Sequence, residues 1–139
     1  MRYLLDTCVV SEYAKRRPNP GLVEWLRHQN EAGLYVSVLT LGEVIAGVER
    51  IADPERRAVL RDWVRDGLAE RFAGRLVPID AVVARAWGEL CASAASTGAV
   101  LPAVDSLIAA SALCHGMAVA TRNEADFART GVPVVNPWT

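Results

Sequence analysis

The chain has 139 residues, room for one domain over residues 1–139 with a sizeable core. Its 52% hydrophobic and 22% charged content is globular and excludes a disordered or fibrous protein. A net charge of −1 argues by itself neither for nor against a nucleic-acid partner. The three cysteines, Cys8, Cys91 and Cys114, are odd in number and lack CxxC or Cys/His spacing, so they read as reduced thiols rather than a disulfide frame or zinc site. With no signal-type apolar leader and no apolar run of about 18 residues, a soluble, cytoplasmic protein is expected.

Short apolar runs alternate with longer stretches of helical period, the pattern of an α/β domain built on a mainly parallel sheet. In chain order the sequence predicts a strand at Tyr3–Leu5, helices at Val9–Lys15 and Gly21–Asn30, a strand at Leu34–Val38, and helices at Leu41–Ile51 and Pro54–Phe72. It continues with a strand at Arg75–Ile79, helices at Ala81–Ser96 and Val104–His115, a strand at Ala118–Ala120, a helix at Glu124–Arg129 and a last strand at Val132–Val135. Asp53-Pro54 reads as an N-cap with proline in the first turn. Val59, Leu60, Trp63, Val64 and Leu68 then recur at helical spacing, so this amphipathic helix can form a hairpin with Leu41–Ile51. At His115-Gly116 a helix ends, the glycine supplying a left-handed conformation.

Acidic residues mark the ends of these elements. Asp6 directly follows the first strand, where open α/β sheets gather their ligands, and it is equally placed to cap the next helix. Glu43 follows the second strand; Thr40 and Glu43 have T-x-x-E spacing, so a capping box explains them as fully as a site does. Asp105 enters a helix rich in Ala, Leu and Ile, where a charge is costly unless it is paired or ligates a metal. In Ala120-Thr-Arg-Asn-Glu-Ala-Asp-Phe127, either Asn123 or Asp126 completes the set, while Glu124 faces solvent. Setting aside Asp6, Glu43, Asp105 and Asp126 leaves 15 basic against 12 acidic residues, a mildly basic surround that suits a polyanionic substrate.

Two carboxylates about 4 Å apart repel by roughly 4 kcal/mol at an effective dielectric near 20. They share a pocket if one is protonated or a cation lies between them, and oxygen-only ligands select hard ions, Mg²⁺ or Mn²⁺. Such an ion serves phosphodiester hydrolysis. Competing chemistries are poorly represented. The two histidines, His28 and His115, read as helix residues in polar company and neither pairs with a plausible nucleophile, and neither a GxxxxGK[ST] nor a GxGxxG loop is present. A phosphatase would want a second acid in Asp6-Thr7-Cys8.

Five segments, in order along nearly the whole chain, carry a family resemblance: Tyr3-Leu-Leu-Asp-Thr-Cys-Val-Val-Ser-Glu12, Ser37-Val-Leu-Thr-Leu-Gly-Glu43, Pro102-Ala-Val-Asp-Ser-Leu-Ile-Ala-Ala110, Ala120–Phe127 and Val135-Asn-Pro-Trp138. Together they resemble the PIN-domain ribonucleases, specifically VapC-type toxins of bacterial toxin–antitoxin pairs and their FitB-like branch. The resemblance implies a three-layer α/β fold, a parallel five-stranded sheet flanked by helices. It implies Asp6, Glu43 and Asp105 as metal-binding acids, and Mg²⁺- or Mn²⁺-dependent cleavage of RNA, often tRNA or rRNA. It also implies homodimers, or larger toxin–antitoxin assemblies, neutralised by a cognate antitoxin that clamps the hairpin around Leu41–Phe72. Two departures stand out: Cys8 replaces the family's usual asparagine, and Asn123 occupies the place of a frequent fourth acid. They motivate a second reading, a degenerate PIN module that binds RNA or a protein without cutting.

Around this set, Thr7 and Ser106 read as holders of metal-bound water or as caps, and Arg122 as a substrate contact. Lys15-Arg16-Arg17 reads as a solvated loop or a phosphate contact. Trp25, Trp63 and Trp87 fall on apolar helix faces and are expected to pack rather than stack on bases. Trp138 reads as a candidate dimer contact.

Overall fold

The computed structural model describes all residues, Met1–Thr139. Its centre is a five-stranded parallel sheet in the order β3-β2-β1-β4-β5: β1 Tyr3–Leu5, β2 Leu34–Ser37, β3 Leu76–Val77, β4 Ala118–Ala120 and β5 Val134–Val135. Around it run α1 Thr7–Glu12, α2 Pro20–Arg27, α3 Val38–Glu49, α4 Pro54–Asp62, α5 Ala69–Arg71, α6 Ala81–Ser96, α7 Ala103–His115 and α8 Glu124–Phe127. The expected three-layer α/β architecture is what is found.

The sheet divides the core. Successive strand residues point to opposite faces, and Leu4 and Leu5, neither with any exposed surface, join different clusters. Leu5 packs with Val9, Val10 and Val36 and with Val44, Val64 and Leu68 of the hairpin side. Leu4 packs with Ile108, Ala109 and Ala112 of α7 and with Phe127. Each of these leucines contributes roughly 2 kcal/mol of burial. The small face of α7 lets that helix lie close along the sheet.

Most element boundaries lie within a few residues of expectation, and the differences have chemical reasons. The expected Arg75–Ile79 strand stops at Val77 because Pro78 has no N–H for the ladder, and β5 begins only after Pro133 for the same reason. Two-residue edge strands also leave little unpaired backbone for unwanted pairing. The Pro54–Phe72 helix runs through as predicted, but Trp63–Leu68 widens to a π-helical turn between α4 and α5. Gly67 lies in that turn, where an added Cβ would approach the Trp63 ring to 3.2 Å. A short 3-10 turn at Glu31–Gly33, not anticipated, leads into β2. Gly116 closes α7 at φ 65°, the left-handed end expected of it.

One cap differs from expectation. The capping box of Thr40 and Glu43 does not form: α3 starts at Val38, and Ser37, the last residue of β2, is the N-cap, its hydroxyl accepting the Leu39 N–H at 3.1 Å. The strand hands directly to the helix, so the cap falls three residues earlier and leaves Glu43 free for another role.

Trp25 meets the Tyr3 ring edge-on at 4.9 Å and Trp63 packs against the core. The Trp87 indole donates to Ser106 Oγ at 2.9 Å. All three tryptophans are therefore packing residues, and Ser106, buried at the start of α7, holds Trp87 rather than water or a cap.

Candidate functional site

The chain order of the sheet locates the site. From β1 the chain moves outward to β2, whereas from β4 it moves to the opposite side, to β5. The carboxyl ends of adjacent β1 and β4 thus open a crevice at the switch point, the usual ligand position in open α/β sheets. Asp6 follows β1 and Thr121 follows β4. The Asp6 N–H donates to the Ala120 carbonyl at 3.0 Å and that of Thr121 to the Val135 carbonyl, also at 3.0 Å.

Of the two readings of Asp6, the cap forms: one oxygen accepts the Thr7 N–H at 2.8 Å at the start of α1, while its second oxygen takes partners from the β4 side of the crevice. That second oxygen accepts the Thr121 hydroxyl at 2.8 Å and lies 3.7 Å from the Cys8 thiol donor. Asp6 is 4% exposed. Burial pushes its carboxyl above the ordinary aspartate range, the Thr121 and Thr7 hydrogen bonds pull it back, and the charge of Glu43 pushes it up again. Cys8 therefore donates to Asp6 from the position where the family usually has an amide, while Thr121 supplies the shorter bond. Burial raises the Cys8 thiol too, so it is a neutral donor at physiological pH.

Glu43, one turn into α3, turns toward Asp6: it accepts the Thr7 hydroxyl at 2.5 Å, across 36 residues of sequence. Asp105 is the third residue of α7, whose N-cap is Pro102, so it is not a cap. Its carboxyl is pushed up to about 6, first by burial and then by the charges of Asp6, Asp126 and Glu43. An open cavity of about 360 Å³ joins the three acids, with Thr7, Cys8, Arg122 and Asn123 also on its wall. Asp126 is exposed and does not line the cavity, although its charge is felt at Asp105. Of the two candidates for the fourth position, Asn123 lines the cavity and Asp126 does not.

None of Asp6, Glu43 or Asp105 is ion-paired with a basic side chain. Three hard-oxygen donors around one cavity, with anionic repulsion uncompensated by the protein, fit a divalent cation. As placed, no three His, Cys, Asp or Glu side chains stand close enough together to hold a metal ion by themselves. An ion in this cavity would need water to complete its shell, which Mg²⁺ commonly keeps.

The sequence reading overlooked two residues. Glu12, 4% exposed, reaches the cavity and accepts the Asn19 N–H at 2.9 Å and a hydrogen bond from Lys15. Burial pushes its carboxyl up, but the Lys15 and Asn19 bonds and the charges of Lys15 and Arg122 outweigh that and hold it below the ordinary range. The signal was present: Cys8, Ser11, Glu12 and Lys15 recur at helical spacing and all line the cavity, a polar stripe beside the buried Val9 and Val10. Thr121, the other omission, had no signal beyond its neighbours, because its partner Asp6 is 115 residues away. Away from the cavity, α3 and the α4–α5 stretch enclose an apolar groove of about 340 Å³ lined by Leu41, Ile45, Val48 and Val64. No helix is long and apolar enough to cross a membrane.

The PIN-domain family model matches residues 3–133. The chain is 33% identical over 135 residues to the VapC ribonuclease Y4jK of Sinorhizobium fredii, covering 97% of this chain and 96% of that protein. It is 35% identical over 135 residues to the toxin FitB of Neisseria gonorrhoeae, covering 97% of each. The crystal structure of FitAcB from Neisseria gonorrhoeae superposes with a TM-score of 0.93 at 34% identity, covering 98% of each chain. A match of this extent, over a sheet that opens its acid-lined crevice between β1 and β4, leaves one assignment: the chain belongs to the PIN-domain family, on its VapC-type, FitB-like branch.

Proposed function

We propose that the chain, acting as one PIN domain, is an endoribonuclease toxin that hydrolyses RNA phosphodiester bonds with the help of Mg²⁺ or Mn²⁺. The observation that carries the metal-dependent chemistry is the convergence of Asp6, Glu43 and Asp105 on one cavity with no basic side chain paired to any of them. The VapC ribonuclease and the toxin among its relatives support RNA as substrate and toxicity as the biological effect.

In this reading Asp6, Glu43 and Asp105 hold the ion, with Asn123 as a neutral ligand on the wall and Asp126 adding charge near Asp105 without lining the cavity. The ion, when bound, activates water and offsets charge building on the phosphoryl and leaving oxygens. The protein's part is positioning. Thr121, Thr7 and Cys8 fix the Asp6 carboxylate, Thr7 joins Glu43 to it, and the rim cations Lys15 and Arg122 receive the RNA backbone. The apolar groove of the α3–α4 hairpin is the surface on which a cognate antitoxin segment would dock, and a homodimer is the expected toxin unit.

Purified protein incubated with tRNA and rRNA tests the proposal. Cleavage is expected with Mg²⁺ or Mn²⁺, silent in excess EDTA, restored by added ion, and absent for folded Asp6→Ala and Asp105→Ala variants. Cleavage that persists in EDTA, or at the parental rate in either variant, overturns the site.

A further inference from the structure

Arg122 lines the acid cavity, and no carboxylate lies within ion-pair distance of it. Its guanidinium is instead 5.5 Å from the centroid of the Trp138 ring. The segment carrying that ring is fastened at both ends. On one side the Trp138 N–H donates to Asn136 Oδ1 at 3.1 Å, and the Asn136 amide donates to Glu124 Oε2 at 3.2 Å, on α8. On the other, the Thr139 N–H donates to Asn19 Oδ1 at 3.1 Å, and the Asn19 N–H donates to the buried Glu12. The segment is also seated closely: a Cβ on Gly21 would fall 2.8 Å from the Pro137 carbonyl oxygen.

The root of Arg122 is fastened as well. Its N–H meets the Cys8 sulfur at 3.4 Å, and the next N–H, of Asn123, donates to Thr121 Oγ1 at 2.9 Å, the same hydroxyl that donates to Asp6. The backbone of Arg122 is thus tied to the residues that orient Asp6, and its guanidinium lies over an aromatic ring within cation–π range. A guanidinium attracted to a ring's π face spends no conventional hydrogen bond on it, so its N–H groups stay free for the paired oxygens of a phosphate. A polyanion nearing Asp6, Glu43 and Asp105 meets repulsion, which a fixed cation at the rim offsets.

We propose that Trp138 is a positioning residue for RNA binding: it holds the Arg122 guanidinium at the rim of the acid cavity, where Arg122 receives an RNA backbone phosphate adjacent to the bond being cut. The proposal rests on the ribonuclease reading.

Its test compares Trp138→Leu, which keeps apolar bulk but no π face, with Trp138→Tyr, Arg122→Ala and the Trp138→Leu/Arg122→Ala pair. With Mg²⁺ and a single-stranded RNA substrate, Trp138→Leu raises KM about fivefold with kcat nearly unchanged, as expected for loss of one cation–π contact. Trp138→Tyr restores most of it, and the pair is no worse than Arg122→Ala alone. In an Asp6→Asn background, which binds without cutting, Arg122→Ala and Trp138→Leu each reduce the slope of log K against log salt by about 0.7, one phosphate's share. A merely structural Trp138 would lower the melting temperature and leave KM and the salt slope where they were. Should the Leu variant not fold, NMR of the Asp6→Asn protein decides. The Trp138 indole resonance, identified by its loss in Trp138→Tyr, moves when RNA is added and stays fixed when Arg122 is also Ala. Parental KM and salt slope in Trp138→Leu, additive losses in the pair, or an immobile indole overturn the proposal. If the wild type neither binds nor cuts RNA, the ribonuclease reading falls first; if it cuts and Trp138→Leu behaves as wild type, only this inference falls.

Discussion

Replacing Asp105 by Asn should stop RNA cleavage and, in the absence of metal, make the protein more stable. Asp105 is half-buried, faces the charges of Asp6, Asp126 and Glu43, and has its carboxyl raised from 3.8 to about 6. The unfolded chain therefore releases this proton first. Well below pH 3.8 both states keep it and the site costs nothing; between about pH 3.8 and 6 the folded state is progressively penalised, and above that the penalty is complete. At full value the gap corresponds to about 3 kcal/mol, but solvent reaches much of this side chain and screening reduces the effect to about 1 kcal/mol. For a chain of this size that is a gain of roughly 3–5 °C in melting temperature for Asp105→Asn. The assay is thermal unfolding followed by circular dichroism, in EDTA, at about pH 3 and about pH 8. The variant should exceed the wild type at the higher pH and match it at the lower. Adding Mg²⁺ at about ten times its dissociation constant should raise the wild type by roughly 1.4 kcal/mol and leave the variant almost where it was. A variant no more stable than wild type at pH 8, or an advantage equal at both pH values, would show that Asp105 is not held in an uncompensated anionic cluster.

Three other substitutions probe neighbouring features. Thr121→Val removes the hydroxyl that donates to the buried Asp6 carboxylate, so urea unfolding should show a loss of about 1–3 kcal/mol together with slower cleavage; unchanged values for both would remove Thr121 from the site. Asn123→Asp should lower the Mg²⁺ concentration needed for half-maximal cleavage by placing a charge on the cavity wall, while Asp126→Asn should raise it; an unchanged Asp126→Asn titration would limit that residue to the surface. Ser37→Ala should cost about 1 kcal/mol by removing the α3 cap, measured by the same urea midpoint, and no cost would return capping to Thr40.

What the sequence by itself determined was local. Apolar runs of strand length, helical periodicity over Ala81–Ser96 and Val104–His115, Asp53-Pro54 at a helix start and Gly116 at a helix end each express chemistry within one or two turns of chain, and each stands in the structure close to where it was read. Asp6 and Asp105 were legible as candidates for the same reason, charges set against apolar neighbours, and the five short apolar runs already carried the sheet's strand number. What only the tertiary structure decided were relations between distant residues. Periodicity does not say that β1 and β4 lie side by side; that follows from which faces must be buried together, with Leu4 on α7 and Leu5 on the hairpin side. Once they do, Thr121 meets Asp6, Thr7 meets Glu43, and Asn123 rather than Asp126 comes to the cavity wall. The capping box of Thr40 and Glu43 satisfied the local rules, yet Ser37 took the cap because β2 runs directly into α3. A cap needs only the nearest oxygen at the helix start, whereas a site needs side chains delivered from separate strands and helices, and only the packed sheet brings those together.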